Sequence, residues 1–196
     1  MRPKVRHRGR PAHHAWCPVH VTVRRAKGLP SLRSEIVLRE LRQAIRATRR
    51  EDFRIVEFSV QADHVHLIVE AESGAALSAG MKSFSVRAAR RLNTRVLRRR
   101  DSLWGDRYHR RDLGSPRLVR AALVYVINNH FKHGESEAGL VDECFSAPWF
   151  SGWMQRVEPP PEPSSTETAR TWLLERGWHD NIHFLHLGEL PRAARS

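Results

Sequence analysis

The chain has 196 residues and 40% hydrophobic content, which suits a globular protein with a buried core and excludes a fully disordered chain. No run approaches the about eighteen apolar residues of a membrane span, and the two cysteines, Cys17 and Cys144, are too few for a disulfide framework. The net charge of +13 instead indicates a polyanionic partner.

The basic residues are nearly all arginine. Lysine and arginine together number 34 against 21 acidic residues, and the only lysines are Lys4, Lys27, Lys82 and Lys132. The planar guanidinium suits phosphate, so nucleic acid is the predicted partner, although a GC-rich genome would also favour arginine. An anionic membrane is disfavoured because no basic amphipathic helix with an exposed aromatic face is found. A reducing cytoplasm, in association with the nucleoid, is the expected location.

The N-terminal part of the chain combines a basic arm with a first strand and helix. Residues 1–16 are the predicted arm, and residues 17–135 are the predicted main domain. Valines at 19, 21 and 23 alternate with polar residues, which predicts a strand over residues 18–24. Ser34 is then the predicted N-cap of a helix that runs to about Arg50.

A hairpin follows, and it carries two histidines. Apolar strands over Phe53–Val60 and residues 65–70 are joined by a polar turn, with His64 and His66 at the start of the second strand. Because side chains alternate across a strand, both imidazoles point to one face of the sheet. Two neutral imidazoles on a rigid backbone make half of a metal site. The chain has 12 histidines, so this spacing alone is close to chance.

The remaining elements of the main domain complete a recognisable order. A long helix is predicted over residues 75–99 and a fourth strand within residues 103–113. Ser115 and Pro116 then read as the cap and first residue of a helix that stops near Gly134. The first six elements match the ferredoxin-like βαββαβ motif. We therefore predict an α+β fold, an antiparallel sheet with helices on one face, followed by the helix that Ser115 opens and a C-terminal extension.

Three segments are predicted beyond the main domain. Residues 136–157 are an aromatic extension packed on the core, residues 158–165 a proline-rich linker, and residues 166–196 a short helix with a tail. His183 and His186 lie in this tail, where packing or surface exposure is preferred over metal binding.

Tyr125 and Asn129 lie at i and i+4 of the helix that Ser115 opens, and hence on one helical face. On an arbitrary helix, the same pair would be a half-buried core aromatic and a helix-end polar residue. Their position after the two-histidine strand favours a functional pairing.

Three motifs follow one another in the main domain. They are Asp63-His64-Val65-His66-Leu67-Ile68-Val69, then Leu103-Trp104-Gly105-Asp106-Arg107-Tyr108, then Tyr125-Val126-Ile127-Asn128-Asn129 with Lys132-His133-Gly134 after it. In this order they resemble the motifs of the single-tyrosine HUH transposases, particularly the REP-associated tyrosine transposases. The resemblance covers about residues 19–134. Family members often have Pro-Asn where this chain has Ala62-Asp63, and proline where it has His130. Neither departure removes a catalytic atom.

The resemblance implies a metal-dependent nuclease and strand transferase for single-stranded, hairpin-forming (REP-like) DNA. Tyr125 would attack the scissile phosphate and form a 5′-phosphotyrosine intermediate. His64, His66 and Asn129 would ligate Mg²⁺ or Mn²⁺. Family members often form homodimers, and the sequence leaves monomer and dimer open. The residues expected to contact DNA are Arg87, Arg91, Arg107, Tyr108, Arg110, Arg111 and Lys132. Lys132 is also a candidate base that would take the proton of the tyrosine. Trp104 suits base stacking and core packing equally.

Two alternatives belong to other functional classes. The first is a domesticated, sequence-specific DNA-binding protein that keeps the fold without cleaving DNA. The second is an RNA-binding module on the same topology, which should carry exposed aromatic residues on its strands. Residues 19–24 and 65–70 carry none, which disfavours the second alternative.

Overall fold

A computed structural model describes residues 11–128, 143–179 and 184–190, and its secondary structure follows the predicted order. The elements are β1 (Val19–Arg24), α1 (Glu35–Arg46), β2 (Phe53–Val60), β3 (His64–Ala71), α2 (Gly74–Leu92), β4 (His109–Asp112) and α3 (Pro116–Ile127). In the part of the chain that the structure describes, no helix is long and apolar enough to cross a membrane.

The four strands form one antiparallel sheet in the order β2-β3-β1-β4. The central pair is β3 and β1, and β4 pairs only with the other edge of β1. Along the chain, α1 lies between β1 and β2, and α2 lies between β3 and β4. This arrangement confirms the predicted α+β class with its ferredoxin-like βαββαβ order.

One face of the sheet is apolar and is covered by α2. The face is built from alternate residues of the central strands, such as Val21 and Leu67, which are fully buried partners. Gly80 of α2 lies over the ring of Phe53, and a Cβ there would come within 2.2 Å of that ring. Only glycine permits this close approach. Helix α1 packs beside α2.

Side-chain caps fix where two of the helices begin. Ser73 Oγ accepts a hydrogen bond from the backbone N–H of Ala76, and Ser115 Oγ accepts one from Leu118. Pro116 occupies the first position of α3, as the sequence predicts. Ser34 stands at the cap position of α1 but makes no side-chain cap bond. Helix α1 ends at Arg46, four residues before the predicted end, because the chain turns there toward β2.

Helix α2 also ends before the predicted boundary. It stops at Leu92 and continues as a π-helical turn, Asn93–Leu97. Arg98 then has a left-handed backbone with φ of 48°, which terminates the helical path.

The second face of the sheet is polar and is partly covered by α3, which contacts β2 and β3. Residues of the C-terminal extension pair with the outer edge of β2: the N–H of Val60 donates to Cys144 O, and the N–H of Ser146 donates to Phe58 O. The extension therefore protects an edge strand that would otherwise present unpaired backbone groups.

The predicted linker and the helix after it are held against the domain. Arg46 Nη2 donates to Pro163 O at 2.5 Å, and Trp149 Nε1 donates to Glu162 O at 2.9 Å. Farther along, the Glu70 carboxylate accepts the backbone N–H groups of Arg170 and Thr171, each at 2.9 Å. Regular helical structure appears only after these residues, as a π-helical turn over Leu173–Gly177, so the helix is shorter than the predicted one.

Candidate active site

The polar face of the sheet brings histidines from two neighbouring strands together. The antiparallel register sets Thr22 of β1 opposite His66 of β3, and Arg24 opposite His64. Because side chains alternate, His20 lies on the same face. His66 is almost fully buried, with 3% of its surface exposed, whereas His64 and His20 are half-buried.

The two predicted ligands, His64 and His66, face each other. Their Nε2 atoms lie 2.8 Å apart. On the other side of the His66 ring, Nδ1 lies 3.1 Å from Thr22 Oγ1 and 3.1 Å from His20 Nε2. His64 Nδ1 lies 2.5 Å from Asp63 Oδ1. The second oxygen of that carboxylate accepts a hydrogen bond from Arg24 Nη1 at 3.1 Å.

Tyr125 of α3 lies against this histidine cluster. Its ring centroid is 5.0 Å from that of His66 and 5.8 Å from that of His20, and both contacts are edge-on. Tyr125 is half-buried. The structure therefore brings the predicted nucleophile and the predicted histidine ligands together in one chain, across the gap between the sheet and α3.

The C-terminal extension anchors the end of α3. The buried side chain of Asn128 donates from Nδ2 to the carbonyls of His186 and Glu189, at 3.1 Å each. Arg120 of α3 donates to both carboxylate oxygens of Glu189, at 2.8 and 2.9 Å. These bonds fix the helix on both sides of Tyr125.

The environment keeps two of the imidazoles neutral. Burial lowers the pKa of His66 to about 2, with the neighbouring His20 adding to the shift. Burial likewise lowers the pKa of His20 to about 4, with Arg111 as the next cause. The hydrogen bond to His64 holds the pKa of Asp63 below its usual range. At neutral pH, the site thus contains neutral imidazoles beside an ionised carboxylate.

Two of the three predicted metal ligands, His64 and His66, converge at this site. In residues 11–128, 143–179 and 184–190, no group of three or more His, Cys, Asp or Glu side chains is placed to hold a metal ion. His64 and His66 supply two converging nitrogens, and the third predicted ligand, Asn129, lies outside the described residues. Two unprotonated Nε2 atoms at 2.8 Å repel each other unless a proton or a cation lies between them. A hydrogen-bonded carboxylate behind His64 is the usual outer partner of a metal-bound imidazole.

The residues predicted to contact DNA lie in different parts of the structure. Arg111 is exposed and lies opposite His20 in the sheet, beside the site. Arg110 points to the other face, where its Nη2 donates to Pro11 O and to Asp112, with 8% of its side chain exposed. Arg91 Nε donates to Glu40 at 2.9 Å and joins α1 to α2. These bonds give Arg110 and Arg91 structural roles.

The other predicted contacts lie apart from the histidines or outside the described residues. Arg87 is exposed on α2 and bonds Ser83, whereas Arg107 is exposed and Tyr108 half-buried, both just before β4. Lys132 lies outside the described residues. The indole of Trp104 donates to Ser85 O at 2.9 Å, which favours packing over base stacking.

Sequence reasoning did not assign His20 and Thr22 to the site. The available signal was the alternation in β1, which puts His20, Thr22 and Arg24 on one face. That alternation identifies a polar face of β1. It does not show which strand pairs with β1, or in which register.

Comparison with known proteins relates this chain to a sequence family and its fold to a solved structure. The sequence pattern of a family described as "Transposase IS200 like" matches residues 15–129. The fold is similar to the solved structure of a REP-associated tyrosine transposase bound to a REP hairpin, with a TM-score of 0.54 and 19% sequence identity. That similarity covers 66% of this chain and 75% of the other. No curated protein matches the chain.

Proposed function

The chain belongs to the IS200-like transposase family, and we propose that it is a metal-dependent nuclease and strand transferase for single-stranded DNA that forms hairpins. The observation that carries the proposal is the contact between the Tyr125 ring and His66, whose neighbour His64 completes a converging nitrogen pair. A protein that only binds DNA has no physical need for this pairing.

Tyr125 is the proposed nucleophile. Its phenolic oxygen attacks the phosphorus of the scissile phosphodiester, and the bond from phosphorus to the 3′-oxygen breaks. The products are a 5′-phosphotyrosine and a free 3′-hydroxyl, which takes up a proton, while the phenol loses one to a base or to water. A 3′-hydroxyl from another strand can reverse the step without nucleotide hydrolysis.

The histidines would hold the cation, with Asn129 as the expected oxygen ligand. A bound Mg²⁺ or Mn²⁺ supplies Lewis-acid stabilisation of the charge that develops on the phosphate oxygens. His66 is neutral at neutral pH and can offer its lone pair. The edge-on packing of the Tyr125 ring against His66 and His20 holds the phenol beside these histidines.

Single-stranded or hairpin DNA is the proposed substrate. The net charge of +13 supports a polyanionic partner, and Arg111 offers a cation on the face of the sheet that carries the histidines. The structurally similar protein was solved with a REP hairpin, which supports a hairpin of this kind for the present chain.

A cleavage assay tests the proposal against its alternative, a domesticated DNA-binding protein. The full chain would be incubated with a 5′-labelled pool of single-stranded hairpin oligonucleotides that carry randomised flanks, with Mn²⁺ or with EDTA. We expect shorter labelled fragments that end in a 3′-hydroxyl with Mn²⁺, and none with EDTA. Salt-sensitive binding without any fragment would favour the domesticated protein.

A further inference from the structure

The Nδ1 atoms of His64 and His66 contact chemically different groups, a carboxylate and an imidazole. Asp63 Oδ1 lies 2.5 Å from His64 Nδ1, and His20 Nε2 lies 3.1 Å from His66 Nδ1. We propose that Asp63 and His20 are positioning residues: each accepts the hydrogen on Nδ1 of its histidine, so that both Nε2 lone pairs face one metal position. The inference rests on the proposed metal-dependent function and adds two residues to it.

The argument for Asp63 comes from the donor inventory. An ionised carboxylate accepts hydrogen bonds and donates none, so the 2.5 Å contact requires the hydrogen of His64 to be on Nδ1. Arg24 holds the other carboxylate oxygen at 3.1 Å, which orients the group. With its hydrogen on Nδ1, the His64 ring has a free lone pair on Nε2, the atom that faces His66.

His66 has two chemically distinct choices. A hydrogen on Nε2 would point directly at His64 Nε2, 2.8 Å away, and would close the metal position with a histidine–histidine hydrogen bond. A hydrogen on Nδ1 needs an acceptor behind the ring, and His20 Nε2 lies there at 3.1 Å. Thr22 Oγ1, also at 3.1 Å, can donate or accept, and so can the His20 ring according to its own tautomer; we assign the acceptor role to His20 Nε2.

Because His66 is buried, its tautomer depends on the protein groups around the ring rather than on water. The ring of His66 is 3% exposed and lies between His20, Thr22 and Tyr125, so water has little access to replace a lost acceptor. Loss of His20 would leave Thr22 Oγ1 as the neighbouring acceptor and would shift the balance toward the tautomer that bonds His64. In metal sites, removal of such an outer partner typically lowers metal affinity about 10–100-fold.

Calorimetric titration of the full chain with Mn²⁺ alone, without DNA, tests the assignment. The variants form two graded pairs. Asp63→Asn keeps an acceptor but loses its charge, and Asp63→Ala loses both. His20→Gln can present an amide oxygen near the position of Nε2, and His20→Phe cannot. Asp106→Asn and His14→Phe make the same chemical changes at exposed positions, so they are the matched controls.

We expect Asp63→Ala and His20→Phe to weaken Mn²⁺ binding about 10–100-fold, with a smaller loss in Asp63→Asn and His20→Gln. The controls should bind like wild type. In the metal-free protein, ¹⁵N spectra of the His64 ring should show hydrogen on Nδ1 in wild type and a tautomer mixture in Asp63→Ala, a signature that loss of packing would not produce.

Results that contradict the roles of Asp63 and His20 can be distinguished from results that contradict the proposed function. The Asp63 side chain is 48% exposed, so its variants keep the fold even where His20→Phe does not. Wild-type Mn²⁺ affinity in Asp63→Ala would overturn the inference while leaving the metal-dependent function in place. A wild-type chain that binds no Mn²⁺ and forms no cleavage product would overturn both.

Discussion

The ring of Tyr125 meets the ring of His66 edge-on at a centroid distance of 5.0 Å, although the two residues belong to different elements, α3 and β3. His66 is buried, and burial lowers its pKa to about 2, so the imidazole beside the phenol is neutral. The proposed activity depends on this contact, because it places the proposed nucleophile and a proposed metal-ligating histidine on the same side of the sheet.

Arg111 and Arg91 should behave differently when each is changed to glutamine, although both changes remove one positive charge. Arg111 is exposed beside the histidines, so Arg111→Gln should weaken single-stranded DNA binding and reduce the salt dependence of log K by about one unit. Titrations of labelled DNA at several salt concentrations measure both effects.

Arg91→Gln is the matched variant. Arg91 joins α2 to the buried Glu40 of α1, and its loss leaves that carboxylate with weaker partners. We expect a lower midpoint of urea unfolding with little change in the salt slope. The reverse pattern, with Arg91→Gln lowering the slope and Arg111→Gln leaving it unchanged, would contradict the assignment.

Asn128→Ala should loosen the end of the helix that carries Tyr125. The substitution removes the donors to His186 O and Glu189 O, and each buried unsatisfied group costs about 1–3 kcal/mol. We expect faster hydrogen exchange in α3 and slower DNA cleavage, with DNA affinity nearly unchanged. Glu189→Gln weakens the partly exposed ion pair with Arg120 and should have a smaller effect. Equal exchange rates in Asn128→Ala and wild type would contradict this role.

Glu57 should make stability depend on pH. Burial raises the pKa of Glu57 to about 8 from a usual value of 4.5, against the opposing hydrogen bond with Ser146. The folded state therefore keeps a proton that the unfolded chain has lost. This contribution to stability is fully present below pH 4.5 and is lost as the pH rises to about 8.

Glu57→Gln should flatten that part of the pH profile, because the amide cannot ionise. The difference between wild type and variant in the free energy of unfolding, measured with urea at pH 5 and at pH 8.5, should change by an amount on the order of a few kcal/mol. Glu72→Gln, at an exposed position, serves as the control. Identical pH profiles for wild type and Glu57→Gln would contradict the shift.

The sequence predicted the elements whose signals are local. Two apolar runs joined by a polar turn defined the β2–β3 hairpin with His64 and His66, and Ser115 with Pro116 marked the start of α3. Helix ends were less predictable because they depend on where the chain turns toward its next tertiary contact. Helices α1 and α2 were both predicted to end later than they do.

Contacts between distant residues carried no local signal. His20 joins the site only because β1 pairs with β3 in a register that sets Thr22 opposite His66. The partner of Arg91 is Glu40, 51 residues earlier, and Glu70 binds Thr171, 101 residues later. An arginine that holds the fold and an arginine that meets DNA look the same in a sequence. Only the tertiary structure separates Arg91 from Arg111.

The most direct test of the central claim is the covalent adduct itself. A 3′-labelled pool of single-stranded hairpin oligonucleotides would be incubated with Mn²⁺ and either wild type or Tyr125→Phe, then resolved on a denaturing gel. Phenylalanine keeps the ring packing against His66 and His20, so DNA binding should be unchanged. Tyr108→Phe is the matched control, since it removes the other phenol of the chain. We predict a labelled protein band for wild type and for Tyr108→Phe, and none for Tyr125→Phe. An undiminished band in Tyr125→Phe would contradict the account.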